Sequence, residues 1–118
     1  MIRFSKSVRR MTLLSALVAP ALSLVSTHAA TVPAKTQAVT IKMFAFSPQV
    51  VAVAPGTTVT WTNADEDPHT VTASDKSFHS AALDTDGKYS FTFTQPGTFA
   101  YFCSLHPRMT GKIIVKAS

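Results

Sequence analysis

From Val39 onward apolar and polar side chains alternate with a period of two, the spacing that lines one face of a β-strand. Val39, Ile41 and Met43 alternate with Thr40 and Lys42, Val51 and Val53 follow, and Val59 and Trp61 share a face within residues 57–61. Phe91 and Phe93 alternate with Ser90, Thr92 and Thr94; Phe99, Tyr101 and Cys103 alternate with Ala100 and Phe102. Residues 112–116 bring Ile113, Ile114 and Val115 into a last strand. Turn-forming pairs separate these runs at Ser47-Pro48, Pro55-Gly56, Asp86-Gly87 and Pro96-Gly97. Short strands punctuated in this way, with no long amphipathic helix, predict an all-β antiparallel sandwich. A further strand is expected over 70–73. Residues 73–84 carry no clean pattern and allow a poor strand, a loop or a short helix.

Ahead of the strands the pattern changes. Arg3, Lys6, Arg9 and Arg10 precede an apolar stretch over 11–25, the arrangement of an export signal. Cleavage after Ala29 places Thr27 and Ala29 at the small-residue positions, whereas cleavage after Ala30 places His28 at one of them. The expected organisation is a signal over 1–29, a flexible lead-in over 30–37 and one domain over 38–118. A membrane anchor is the competing reading, but the apolar stretch falls short of the ~18 residues a spanning helix needs and Pro20 interrupts it. Arg9-Arg10 followed by Met-Thr-Leu-Leu also resembles a loose twin-arginine signal. It lacks the usual aromatic, so the general secretory route and a periplasmic location are expected.

Export changes the reading of charge. Of eleven Lys and Arg residues four lie in the signal, along with none of the six acidic ones. The formal charge of +5 therefore falls to near neutrality in the processed chain, too little for a field that attracts nucleic acid or an acidic membrane. About ninety residues remain, enough for one hydrophobic core. With a single cysteine the chain cannot form an internal disulfide.

That cysteine opens the run Cys-Ser-Leu-His-Pro-Arg-Met, which places Cys103, His106 and Met109 within seven residues. Residues 103–109 are expected as a loop between a strand ending at Cys103 and another opening at Thr110-Gly111. His69 follows residues 63–68 in a separate segment, and a sandwich that gathers its loops at one end can bring it to the others. One thiolate, two imidazoles and one thioether form the donor set of a blue-copper site. Each donor also has an ordinary structural reading: Cys103 as a buried small hydrophobe, Met109 as a core residue, His106 as a polar loop residue. Their joint spacing favours metal, and zinc suits the same soft ligands. His79 in Phe78-His79-Ser80 has no such partners and reads as a surface histidine, while Met43 is expected to pack near the site end. No Gly-rich phosphate loop, paired-carboxylate constellation or Ser-His-Asp arrangement is evident, which argues against an enzyme.

Several stretches together carry a family resemblance. They are Ala45-Phe46-Ser47-Pro48, Pro55-Gly56-Thr57-Thr58-Val59-Thr60-Trp61-Thr62-Asn63, Pro68-His69-Thr70-Val71, Tyr89-Ser90-Phe91-Thr92-Phe93, Pro96-Gly97-Thr98-Phe99 and Cys103-Ser104-Leu105-His106-Pro107-Arg108-Met109. The domain resembles the cupredoxins, small blue copper proteins, and within them the amicyanin and plastocyanin group; the short Cys-x-x-His-x-x-Met spacing is similar to that of amicyanin. The resemblance implies a Greek-key sandwich and one type 1 copper, with His69, Cys103 and His106 as equatorial ligands and Met109 as the weak axial one. It implies a monomer that shuttles single electrons between redox partners docking transiently at the exposed edge of His106. Phe44, Pro68, Leu105 and Pro107 would supply an apolar patch there. Arg108, where amicyanin has phenylalanine, would alter partner choice together with Asp65, Glu66 and Asp67. Asn63 is expected to tie the two ligand-bearing segments together. Thr70 replaces the family's asparagine, and its hydroxyl is expected to reach Ser104. By the same analogy His106 protonates and leaves copper(I) in mild acid. A copper chaperone or store using the same ligands is the alternative function, and an adhesive sandwich without metal is the structural one.

Overall fold

The computed structural model describes residues 14–24 and 35–117. Eight strands appear in chain order: β1 Thr36–Lys42, β2 Ala45–Ser47, β3 Val50–Val53, β4 Thr57–Asn63, β5 Thr72–Ala73, β6 Lys88–Phe93, β7 Gly97–Cys103 and β8 His106–Val115. Side chains alternate along them as the periodicity predicts. β4 buries Thr57, Val59, Trp61 and Asn63 and leaves Thr58, Thr60 and Thr62 half-exposed, while β1 buries Val39 and Ile41. The strands form two sheets, ordered β2-β1-β4-β6 and β3-β8-β7-β5. Each sheet departs from the expected antiparallel arrangement at one pair, because β1 runs parallel to β4 and β3 parallel to β8. Side-chain periodicity marks which face of a strand is buried and carries no information about the direction of its neighbour.

Trp61 lies at the centre of the core with no exposure, and its indole meets the rings of Phe78, Tyr89, Phe93 and Tyr101. Residues 73–84 fold back along 69–73. His69 and Leu83 exchange backbone hydrogen bonds, and the Ser80 N–H donates to Val71 O. The expected strand over 70–73 is accordingly reduced to β5, and Phe78 and Leu83 anchor the returning segment in the core.

A second difference lies at the site end. β8 begins at His106 rather than near Thr110, so the expected seven-residue loop shrinks to the turn Ser104-Leu105. Pairing of Cys103 with His106 closes that turn, with a register shift between Phe102 and Cys103. Such a shift re-aims side chains next to it.

Residues 1–30 form a unit of their own. Within it, residues 14–24 hold no helix or strand and expose Leu14, Leu17, Val18, Leu22 and Leu24. The Arg3 to Arg10 region, the expected cleavage point, His28 and residues 30–34 of the lead-in lie outside the described residues, while Thr36 and Gln37 at its end belong to β1. Among the described residues no helix is long and apolar enough to cross a membrane.

Candidate metal centre

Cys103 is the last inward-facing residue of β7, two positions beyond Tyr101, and it is fully buried. The two-residue turn folds His106 back over it, half-buried, and leaves His106 Nδ1 3.7 Å from Cys103 Sγ. His69 arrives from the segment between β4 and β5, held by its two backbone hydrogen bonds to Leu83, with Nδ1 3.8 Å from the same sulfur. The donor atoms of His69, Cys103 and His106 all lie within 4.8 Å of one another. Met109 is buried on β8, three residues beyond His106, and lines a small cleft of about 170 Å³ with Phe44 and Phe46. Sequence reasoning thus named three residues that converge and a fourth, Met109, that is buried on β8.

Hydrogen bonds prepare these donors for a cation. His69 Nε2 lies 2.9 Å from Asp65 Oδ2, and a carboxylate acceptor there assigns the proton to Nε2 and leaves the Nδ1 lone pair facing Cys103. The Thr70 N–H donates to Cys103 Sγ at 3.3 Å. Burial alone would push the thiol up; donation from the Thr70 and Leu105 amides, with the His69 and His106 imidazoles close to the sulfur, outweighs it and brings the pKa down to about 6. Burial likewise acts to raise Asp65, and the Phe44 and Met43 amides and His69 together leave its carboxyl below the usual value. A preformed thiolate between two imidazole nitrogens, with the sulfur and His69 fully buried, fits a soft or borderline transition metal.

The Thr70 hydroxyl does reach Ser104, as expected: the Ser104 N–H donates to Thr70 Oγ1 at 2.7 Å, and the two hydroxyls lie 2.8 Å apart. Asn63 has a different partner from the one expected. Its Nδ2 donates to Asp67 O and Leu83 O and its Oδ1 accepts from the Asp65 N–H, so its hydrogen bonds organise the loop leading to His69 rather than reach the Cys103 segment. Met43 is 81% exposed rather than packed, because it sits at a turn with positive φ. His79 is exposed, as read. Asp65 was the residue sequence reasoning misplaced, grouping it with Glu66 and Asp67 as a rim charge. The available signal was its position four residues before His69, close enough for the loop to turn its carboxylate onto the imidazole.

The Cupredoxin-like domain family matches residues 13–115. Amicyanin from Paracoccus versutus is 34% identical over 93 residues, covering 75% of this chain and 70% of that one. Amicyanin-alpha from Methylorubrum extorquens is 35% identical over 89 residues, covering 71% and 75%. Among solved structures, the oxidised state of an amicyanin variant superposes with a TM-score of 0.66 at 32% identity, covering 74% of this chain and 88% of that one. A purple cupredoxin from Nitrosopumilus maritimus gives 0.65 at 30% identity, covering 67% and 98%.

Proposed function

The chain belongs to the cupredoxin-like family, and on that premise we propose that it is a blue copper electron carrier, with His69, Cys103, His106 and Met109 holding one type 1 copper. The observation that carries this reading is the meeting of the two Nδ1 atoms and the Cys103 sulfur within 4.8 Å. Copper bound there supplies one-electron chemistry, Cu(II) to Cu(I) and back. The chain's own residues supply a scaffold with little freedom to move. Cys103 and His69 are fully buried, and the Thr70 amide and hydroxyl tie the sulfur and the Ser104 turn to the His69 segment. A site held from both sides changes shape little when its charge changes, which favours fast electron transfer, and the hydrogen bond to sulfur tunes the potential.

His106 is the donor open to solvent, so the electron enters and leaves along its edge. Phe44, Pro68, Leu105 and Pro107 are exposed around the ligand-bearing turns, an apolar patch suited to brief docking of a redox partner. The protein acts as a monomeric carrier rather than an enzyme, with Arg108, Glu66 and Asp67 at the rim selecting partners. The exposed apolar side chains of residues 14–24 support reading 1–29 as a signal for the general secretory route, cleaved after Ala29 to leave a periplasmic domain over 38–118 behind a short lead-in.

Visible absorption and electron paramagnetic resonance of the purified protein after copper(II) addition test the reading. An intense blue thiolate band with narrow copper hyperfine splitting, lost in Cys103→Ala, is the expected result. A colourless copper spectrum that survives the substitution overturns it and moves copper handling to the front.

A further inference from the structure

Beyond the four donors, the contacts reaching the centre converge on Asp65. Its Oδ1 accepts from the Met43 N–H at 2.7 Å, and its Oδ2 from the Phe44 N–H at 2.9 Å and from His69 Nε2 at 2.9 Å. Met43 and Phe44 are the two central residues of the hairpin that pairs Lys42 of β1 with Ala45 of β2. Both have positive φ, 53° and 55°, as a two-residue hairpin turn requires and as Asn-Gly adopts with least strain. Side chains with a Cβ disfavour this conformation. Core packing does not impose it, since Met43 is 81% and Phe44 49% exposed. Two adjacent amides donating to one carboxylate supply the missing restraint.

The turn in turn sets the Phe44 ring. It stands edge-on to both imidazoles, with centroids 5.2 Å from His69 and 5.0 Å from His106 and interplanar angles of 89° and 88°. The two histidines differ in what else holds them. His69 is fully buried and engaged at both nitrogens. Among the described residues, the His106 ring approaches Cys103 through Nδ1, and Nε2 has no hydrogen-bond partner. Its orientation therefore depends on the rings beside it, Phe44 and His69.

We infer that Asp65 is a positioning residue that latches the Met43-Phe44 turn to the His69 imidazole and so holds the Phe44 ring as a wall against both metal-binding histidines. The inference rests on the copper reading above and adds to it a control over the solvent-side donor: with the latch closed, His106 keeps one orientation. A partner arriving at His106 also meets Phe44, so the latch shapes the docking patch as well.

The purified wild-type protein is compared with Asp65→Ala, Asp65→Glu, Phe44→Ala and the double variant Asp65→Ala/Phe44→Ala. The amide protons of Met43 and Phe44 are followed by NMR in the metal-free protein, and transfer of copper(I) to an excess of chelator is timed in the loaded protein. The latch predicts that Asp65→Ala shifts both amides, speeds their exchange and accelerates copper(I) loss about tenfold or more. Asp65→Glu, which keeps the carboxylate, restores most of the retention. Phe44→Ala accelerates copper loss while leaving the Met43 amide in place, and the double variant is no faster than Asp65→Ala because both changes remove the same wall. Unchanged amides in Asp65→Ala, or accelerations that multiply in the double variant, overturn the latch. If Asp65→Ala fails to unfold cooperatively in the metal-free form, Asp65→Glu and Phe44→Ala decide by the same two readouts. A wild-type protein without the blue thiolate band defeats the carrier reading instead, and the metal-free amides still uphold or overturn the hold of Asp65 on the turn.

Discussion

At the scale of single residues, Cys103 carries the strongest chemical tension, because a fully buried thiol is held by its neighbours as a thiolate. In an unfolded chain a cysteine ionises near about 8.5, while in the folded metal-free protein it does so at about 6. An acid whose pKa is lowered by folding adds stability that is complete above the unfolded value and lost as pH falls through the folded one. The metal-free protein is therefore expected to gain stability as pH rises from about 6 to about 8.5, and Cys103→Ser to lack that gain. Denaturant unfolding of both proteins at a series of pH values, with thiolate absorbance as a second probe, checks it. The residue types at the site were legible in the sequence because metal chemistry demands them at close spacing. Asp65 was not, because its part depends on a loop turning one carboxylate toward three donors at once.

At the scale of elements, the β7–β8 pair matters most, since it carries Cys103, His106 and Met109 together. Gly111 of β8 faces Tyr101 of β7 in the ladder. A Cβ at Gly111 would overlap the Tyr101 ring and hydroxyl, and that ring is walled in by Phe46, Trp61 and Phe78. Gly111→Ala is expected to lower stability by about 1–3 kcal/mol and, by prising the two strands apart, to weaken the copper thiolate band. Urea unfolding and the visible spectrum of the variant report both effects. Periodicity located β1, β4, β6 and β7 because each has one buried face. It missed the first half of β8, where His106, Pro107 and Arg108 lie at the exposed end of the ladder and no apolar alternation marks the strand.

At the scale of the whole molecule, stability and metal binding are linked through one folded state. The proposed ligands come from two segments far apart in sequence, His69 and the Cys103 to Met109 run, so an unfolded chain holds no such site. Copper bound to the native form alone therefore stabilises it, by about 2.7 kcal/mol when free copper is a hundredfold above its dissociation constant. Thermal unfolding of the metal-free and copper-loaded protein is expected to show this rise, and Cys103→Ala to abolish it. Equal transitions for both forms of the wild-type protein would mean that copper does not distinguish native from unfolded chain.

The sequence by itself determined the all-β class, the faces of most strands, the candidate donors and the family, since each rests on residue type and short spacing along the chain. Tertiary structure alone decided the parallel pairings of β1 with β4 and β3 with β8, the shrinking of the ligand loop to a two-residue turn and the gathering of Asp65, Phe44 and His69. These depend on how distant segments meet. A side chain's period of two states which way it faces; what it faces is settled only when the two sheets close on each other.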